Sequence, residues 1–231
     1  MDLRISDDCY ITNRYTSHIN KREMIFSYSS EPLVASFTKT NILLGCTITD
    51  NYKTITFNSA SVKSLISFQT NFSDNKMPMD LIYKMIYDLS IQLKYLIEKC
   101  GKCFIGYSLK HVIVIDGNTF IYIPNNEDIC DIEDNNITIT CPFSHEDFFQ
   151  SPETVLVNSI PSYVHFKSNY YSLACLIMEC LKSKDTDLIK SDLIERNEEL
   201  LNTLVIKESK IYYLLKRCLT KEVSNRYFVY I

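Results

Sequence analysis

Apolar and polar positions alternate, cluster and change period along this chain, and the change of period divides it. In the first third the apolar runs are short. Ile42-Leu43-Leu44 and Thr54-Ile55-Thr56-Phe57 carry β-branched and aromatic residues and are separated by the turn-forming Thr49-Asp50-Asn51, so both are expected to be strands. Before them, Lys21 to Tyr28 is expected to form one short helix. Residues 71–78 (Asn-Phe-Ser-Asp-Asn-Lys-Met-Pro) are a polar connection and the best boundary, dividing the chain into 1–75 and 76–231.

After that connection the period becomes helical. Leu81, Ile82, Met85, Ile86, Leu89, Leu93, Leu96 and Ile97 fall at three- and four-residue spacing, with Asp80 placed to cap the start and Gly101 to end the helix. Val112 to Ile115 and Thr119 to Ile123 then flank Asp116-Gly117-Asn118, a hairpin signal because Asp-Gly tolerates the positive φ of a tight turn, and Pro124 stops the second strand. The stretch Glu127 to Asp134 is expected to be an irregular acidic loop. Tyr170 to Leu181 is apolar nearly all round, a helix buried inside a domain, and further helices are expected over 187–204, with a break, and 209–219. Strands and helices segregate rather than alternate, so the fold class is α+β.

Composition narrows the function classes. The chain has 231 residues, 46% of them hydrophobic, and a formal charge of −4, so a full core is available and no global positive field gathers nucleic acid or anionic lipid. The N-terminal residues show no secretory pattern, and no stretch approaches the ~18 apolar residues of a spanning helix. A cytoplasmic location is therefore expected. Nine cysteines are an odd number, expected as reduced thiols. Cys100 and Cys103 are one close pair with no second pair to complete a zinc site, and His18, His111, His145 and His165 lie far apart. No metal and no cofactor are expected. The segment 127–134 carries five carboxylates in eight residues, but no glycine shapes a calcium turn and Ile129 and Ile132 interrupt the ligands.

Four short strings, in order, resemble the protein kinase fold over roughly residues 42–229. The long helix followed by Phe104-Ile-Gly-Tyr-Ser-Leu-Lys110 and a hairpin is similar to the helix, catalytic loop and short strands of kinases. Gln150-Ser-Pro-Glu153 resembles the string that closes the activation segment. Tyr170-Tyr-Ser-Leu-Ala174 resembles the opening of the buried central helix, and Leu214 to Leu219 with Asn225-Arg226 resembles the late helix and its Arg. The wording around Phe148 to Glu153 is similar to kinase-like proteins of large cytoplasmic DNA viruses.

The resemblance implies a protein kinase-like architecture with a reduced β-rich N-lobe and a helical C-lobe. It also locates the departures. Ser108 occupies the family's catalytic Asp position, and a hydroxyl does not accept the substrate's proton as a carboxylate does. Val112 or Ile113 stands where a metal-binding Asn is expected, and Ile123-Pro124-Asn125 stands at D-F-G. Gly45 is the only glycine before residue 101, so no Gly-rich phosphate loop exists. Val34 to Lys39 is the nearest approach to the family's lysine strand, Glu23 to that lysine's partner, and Lys110 to a remnant anion site.

By contrast, Glu153 and Arg226 match residues that form a buried structural ion pair in the family, and Asn169 replaces the Asp that opens the buried helix. The expectation is a catalytically inactive pseudokinase that binds a protein partner, such as a kinase or other signalling protein, in the host cytoplasm or a virion. ATP binding is not expected. Two rivals stand beside it: an atypical active serine/threonine kinase with metal ligands relocated to 127–134, and a structural virion protein.

Overall fold

A computed structural model describes residues 3–16, 19–28, 30–144, 148–183 and 192–228, with backbone alone at 13–16 and 19–20. His18, His145 and residues 187–191 of an expected helix lie outside the described residues.

The first part is a five-stranded antiparallel sheet carrying one helix. Its elements are β1 (Leu3–Arg4), β2 (Cys9–Thr16), β3 (Ile19–Phe26), α1 (Glu31–Thr38), β4 (Thr47–Thr49) and β5 (Thr54–Asn58), in sheet order β1-β2-β3-β5-β4. The helix expected over Lys21–Tyr28 is strand β3. Met24 and Phe26 lie two residues apart, the spacing of one strand face, but the apolar Ile25 between them hides the alternation. Pairing decides, because β3 is hydrogen-bonded to β2 on one side and β5 on the other, with Met24 and Phe26 fully buried. Ile42-Leu43-Leu44 is a turn rather than a strand. Asn41 and Gly45, at φ 60° and 64°, bracket it, and it buries Ile42 and Leu43 while Leu44 stays 72% exposed. Val34 to Thr38 lies in α1, where Leu33, Val34 and Phe37 reach the core and Pro32 suits the first turn.

The chain then runs through β6 (Val62–Ser64) and α2 (Leu65–Gln69) to the long helix α3 (Met79–Tyr95). Asp80 sits in the first turn of α3, and Pro78 occupies the cap. A wider turn over Leu96–Cys100 extends the helix, and Gly101, at φ 62°, closes it. β7 (Lys102–Phe104), β8 (Val112–Ile115) and β9 (Thr119–Tyr122) follow, with Asp116 and Gly117 at φ 51° and 76° making the expected hairpin turn. β6 pairs with β8, so residues on the two sides of the polar connection share one sheet.

The acidic stretch is not irregular. It forms β10 (Ile129–Glu133), which turns through Asp134 and Asn135 at φ 49° and 65° into β11 (Asn136–Ile139). Both turn residues tolerate the left-handed region, which is the geometry a tight hairpin needs. The third sheet runs β12-β11-β10-β7, with α4 (Pro152–Val155) preceding β12 (Ser162–His165). The rest is helical: α5 (Ser168–Leu181), α6 (Leu193–Thr203) capped by Asp192, and α7 (Lys210–Cys218) capped by Ser209.

The architecture is α+β with antiparallel sheets, and one hydrophobic cluster extends from Ile5 to Leu219. No helix among the described residues is long and apolar enough to cross a membrane.

Candidate functional site

The segment from Phe104 to His111 leaves β7 beneath the β8–β9 hairpin, and two polar residues on the core face of α3 hold it there. Gln92 is fully buried and grips the backbone of Tyr122 at both ends: its Nε2 donates to the carbonyl at 2.7 Å and its Oε1 accepts from the N–H at 3.0 Å. One turn earlier, buried Asp88 accepts from the Phe120 N–H at 3.0 Å and from Lys84 at 2.5 Å. Burial pushes the Asp88 carboxyl above its ordinary range, against the pull of Lys84 and the Phe120 amide. The periodicity of α3 displays only its apolar stripe. The signal for these two lay inside it, as polar side chains four residues apart beside Leu89 and Leu93.

With β9 fixed, Tyr122 points its ring into the loop. Its hydroxyl donates to the Gly106 carbonyl at 2.8 Å, and its ring packs 4.6 Å from Tyr107 and 4.9 Å from Phe104. All three rings are fully buried, and burial, reinforced by Asp128, holds the Tyr122 phenol well above its usual pKa. The loop is sealed from its other side. The Tyr107 N–H donates to Ser172 of α5 at 2.7 Å, and Phe149 N–H donates to the Tyr107 carbonyl at 2.8 Å. Gly106 allows this closeness. A Cβ there would stand 3.1 Å from Phe148 and 3.2 Å from Ser172 Oγ.

Ser108 is buried and caps the short turn Leu109–His111, accepting from the Lys110 N–H at 3.4 Å. Val112, Ile113 and Ile123 are fully buried, and Pro124 is buried beside them. This is apolar packing at the positions that the kinase resemblance assigns to acid and metal ligands. Lys110 lies exposed in the middle of the Leu109–His111 turn. The backbone joining β5 to β6 is engaged by the hairpin, since Asp116 Oδ1 accepts from the N–H groups of Ala60 and Ser61 at 2.7 and 2.8 Å.

The remaining acidic candidates point to different places. Asp128 is buried at the foot of β10, Asp131 pairs with Lys102 at 2.5 Å, and Glu133 and Asp134 are exposed at the far end of the hairpin. Among the described residues, no group of three or more His, Cys, Asp or Glu could hold a metal ion. Cys103 and Cys130 face each other across β7 and β10 as free thiols. Burial raises both, Cys130 to about 12. Glu23 is a buried residue of β3, not a helical one. Lys39 is the cap of α1. A cleft of about 450 Å³ opens elsewhere between the first sheet and the 126–129 segment, lined by Asp8, Tyr28, Ser30, Lys102, Asn126 and Ile129.

Glu153 and Arg226 stand in contrast to the aromatic loop. Ser151 caps α4 and sets Glu153 toward the last described segment. There Arg226, fully buried, makes a two-pronged ion pair to it at 2.7 and 2.8 Å. The same guanidinium donates to the carbonyls of Thr220 and Lys221 at 2.7 and 3.1 Å and lies 4.9 Å from the ring centre of Tyr171. Burial alone would raise the Glu153 carboxyl, but the bonds and charge of Arg226 outweigh it and hold the group below its ordinary range. Asn169, at the start of α5, donates through its side-chain amide to the Phe104 carbonyl and so ties the buried helix to the loop.

No family model matches the chain, and no curated protein is significantly similar to it.

Proposed function

We propose that this chain is a protein kinase-like domain without phosphotransferase activity, a pseudokinase that works by binding a protein partner in the cytoplasm. The order of elements supports the reading: an antiparallel sheet carrying one helix, a long helix, a loop and hairpin, an activation-segment-like stretch, and a buried central helix. The observation that carries it is the contents of the loop beneath the β8–β9 hairpin. Phosphoryl transfer is almost entirely positioning and charge stabilisation, and it needs carboxylates converging on a magnesium-bound triphosphate. Here Ser108 caps a turn, Ile123 is fully buried, and the buried rings of Tyr107 and Tyr122 pack against each other beside them in the chain.

Groups with architectural work are kept. The Glu153–Arg226 pair and the Asn169 and Ser172 bonds to the loop hold the helical part as they would in an active relative. A fold that holds these contacts while its loop is filled by apolar side chains supplies a shape, and a shape without chemistry acts through surfaces.

The test is a phosphotransfer assay with radiolabelled ATP, Mg²⁺ or Mn²⁺ and generic protein substrates, run on wild type, Asp128→Asn and Asp131→Asn. The reading expects background in all three. Turnover that either substitution abolishes would establish the relocated-ligand kinase instead. Affinity purification from cells making the protein is expected to return one specific protein in stoichiometric amount.

A further inference from the structure

β12 is the outer strand of its sheet and is paired on one side only, with β11. Its register fixes which backbone groups face outward. The Phe166 N–H donates to the Asn135 carbonyl at 3.0 Å, so by antiparallel alternation Ser162, Val164 and Phe166 direct their groups to β11, and Tyr163 and His165 direct theirs away. Neither backbone group of Tyr163 or His165 has a partner among the described residues. Natural edge strands are blunted by charged side chains, internal proline or bulges. This one has none of these: from Val155 to Phe166 there is no Asp, Glu, Lys or Arg, and Pro161 lies just before the strand. The flank is apolar and exposed, with Leu156 at 77%, Tyr163 at 70% and Val155 and Ile160 near half.

From this edge we infer that two copies of the chain associate through β12, antiparallel, about a two-fold axis at Val164. The register permits it without adjustment. Around that axis Tyr163 meets His165 of the second copy and His165 meets Tyr163, which are the two residues whose N–H and C=O groups point outward, so the pairing closes four backbone hydrogen bonds. The two four-stranded sheets then run on as one. A second copy is the occupant that the charge pattern favours. A patch with a net charge repels its own image, but this stretch is uncharged although the chain as a whole carries −4. The association does not depend on the pseudokinase reading.

Sedimentation velocity on the full chain, over loading concentrations on the order of 1 to 100 μM, tests the inference. A concentration-dependent monomer–dimer equilibrium is expected, with amide exchange at Tyr163 and His165 slowing as concentration rises. Tyr163→Pro removes an outward N–H and leaves the β11 ladder whole. It eliminates two of the four bonds, so the dimer should weaken about tenfold or more while melting of the dilute monomer is unchanged. If that variant fails to fold, Tyr163→Lys serves, placing a charge beside its image across the axis. A monomer at every concentration, exchange at 163 and 165 that ignores concentration, or a dimer undiminished in the folded variants would overturn the inference.

Discussion

Two interior regions of this molecule are opposite in character. Around Arg226 the chain buries a full charge and surrounds it with a carboxylate, two carbonyls and an aromatic face. Around Tyr122, within the same continuous core, it buries three aromatic rings and two isoleucines where the kinase resemblance would place charge. The difference teaches where charge is retained. A buried ion is tolerated when its partners are built into the fold, as Glu153 is by the Ser151-capped α4. A cluster of buried carboxylates is tolerated only while a metal or other cation neutralises it, and without one apolar side chains pack better.

The comparison can be broken most severely by putting a charge into the aromatic region. Ile123→Asp places a carboxylate where the kinase resemblance puts D-F-G, with no cation or donor prepared for it. It should cost about 4 kcal/mol or more, read by urea denaturation. The converse change is Glu153→Gln, which strands the Arg226 guanidinium; a loss of about 3–5 kcal/mol is expected. If the first change is harmless and the second severe, or the reverse, the two regions do not differ as described. Next in size is Gly106→Ala. Its methyl group meets Phe148 and Ser172 at 3.1 and 3.2 Å, and pushing them apart should cost about 1–3 kcal/mol in the same titration.

A pH series sharpens the contrast further. The folded-state pKa of Glu153 is depressed, so the pair contributes stability above the ordinary Glu range and loses it as pH falls through the depressed value. The stability gap between wild type and Glu153→Gln should therefore be full at neutral pH and narrow below about pH 4. A gap independent of pH would mean that the carboxylate's charge is not what holds Arg226.

Much of the second part was legible because its signals were long or chemically specific. The period of α3, the Asp-Gly turn of the β8–β9 hairpin and the unbroken apolar surface of α5 each allow one structure. Glu153 and Arg226 were found by their strings, and the structure brings them together across 73 residues. The first part was less legible. In β3 the run Met24-Ile25-Phe26 is apolar throughout, which hides the strand alternation, and pairing with two neighbours decides it. The acidic hairpin was obscured by its composition: five carboxylates suggest solvent, while the turn at Asp134-Asn135 carries the structural message. Departures at Ser108 and Ile123 marked the loop as altered, but not what fills it. That depends on Gln92 and Asp88 reaching from α3 to fix β9, contacts about thirty residues apart in sequence.

The central claim of the proposed function is that this interior does not hold a magnesium-bound triphosphate. A thermal-shift titration of the intact chain with ATP, with and without Mg²⁺, tests it most directly, since a ligand that binds only the folded state raises the melting temperature with concentration. The account predicts no saturable rise under either condition. A saturable rise that requires Mg²⁺ and disappears when Asp128 is changed to Asn would contradict it.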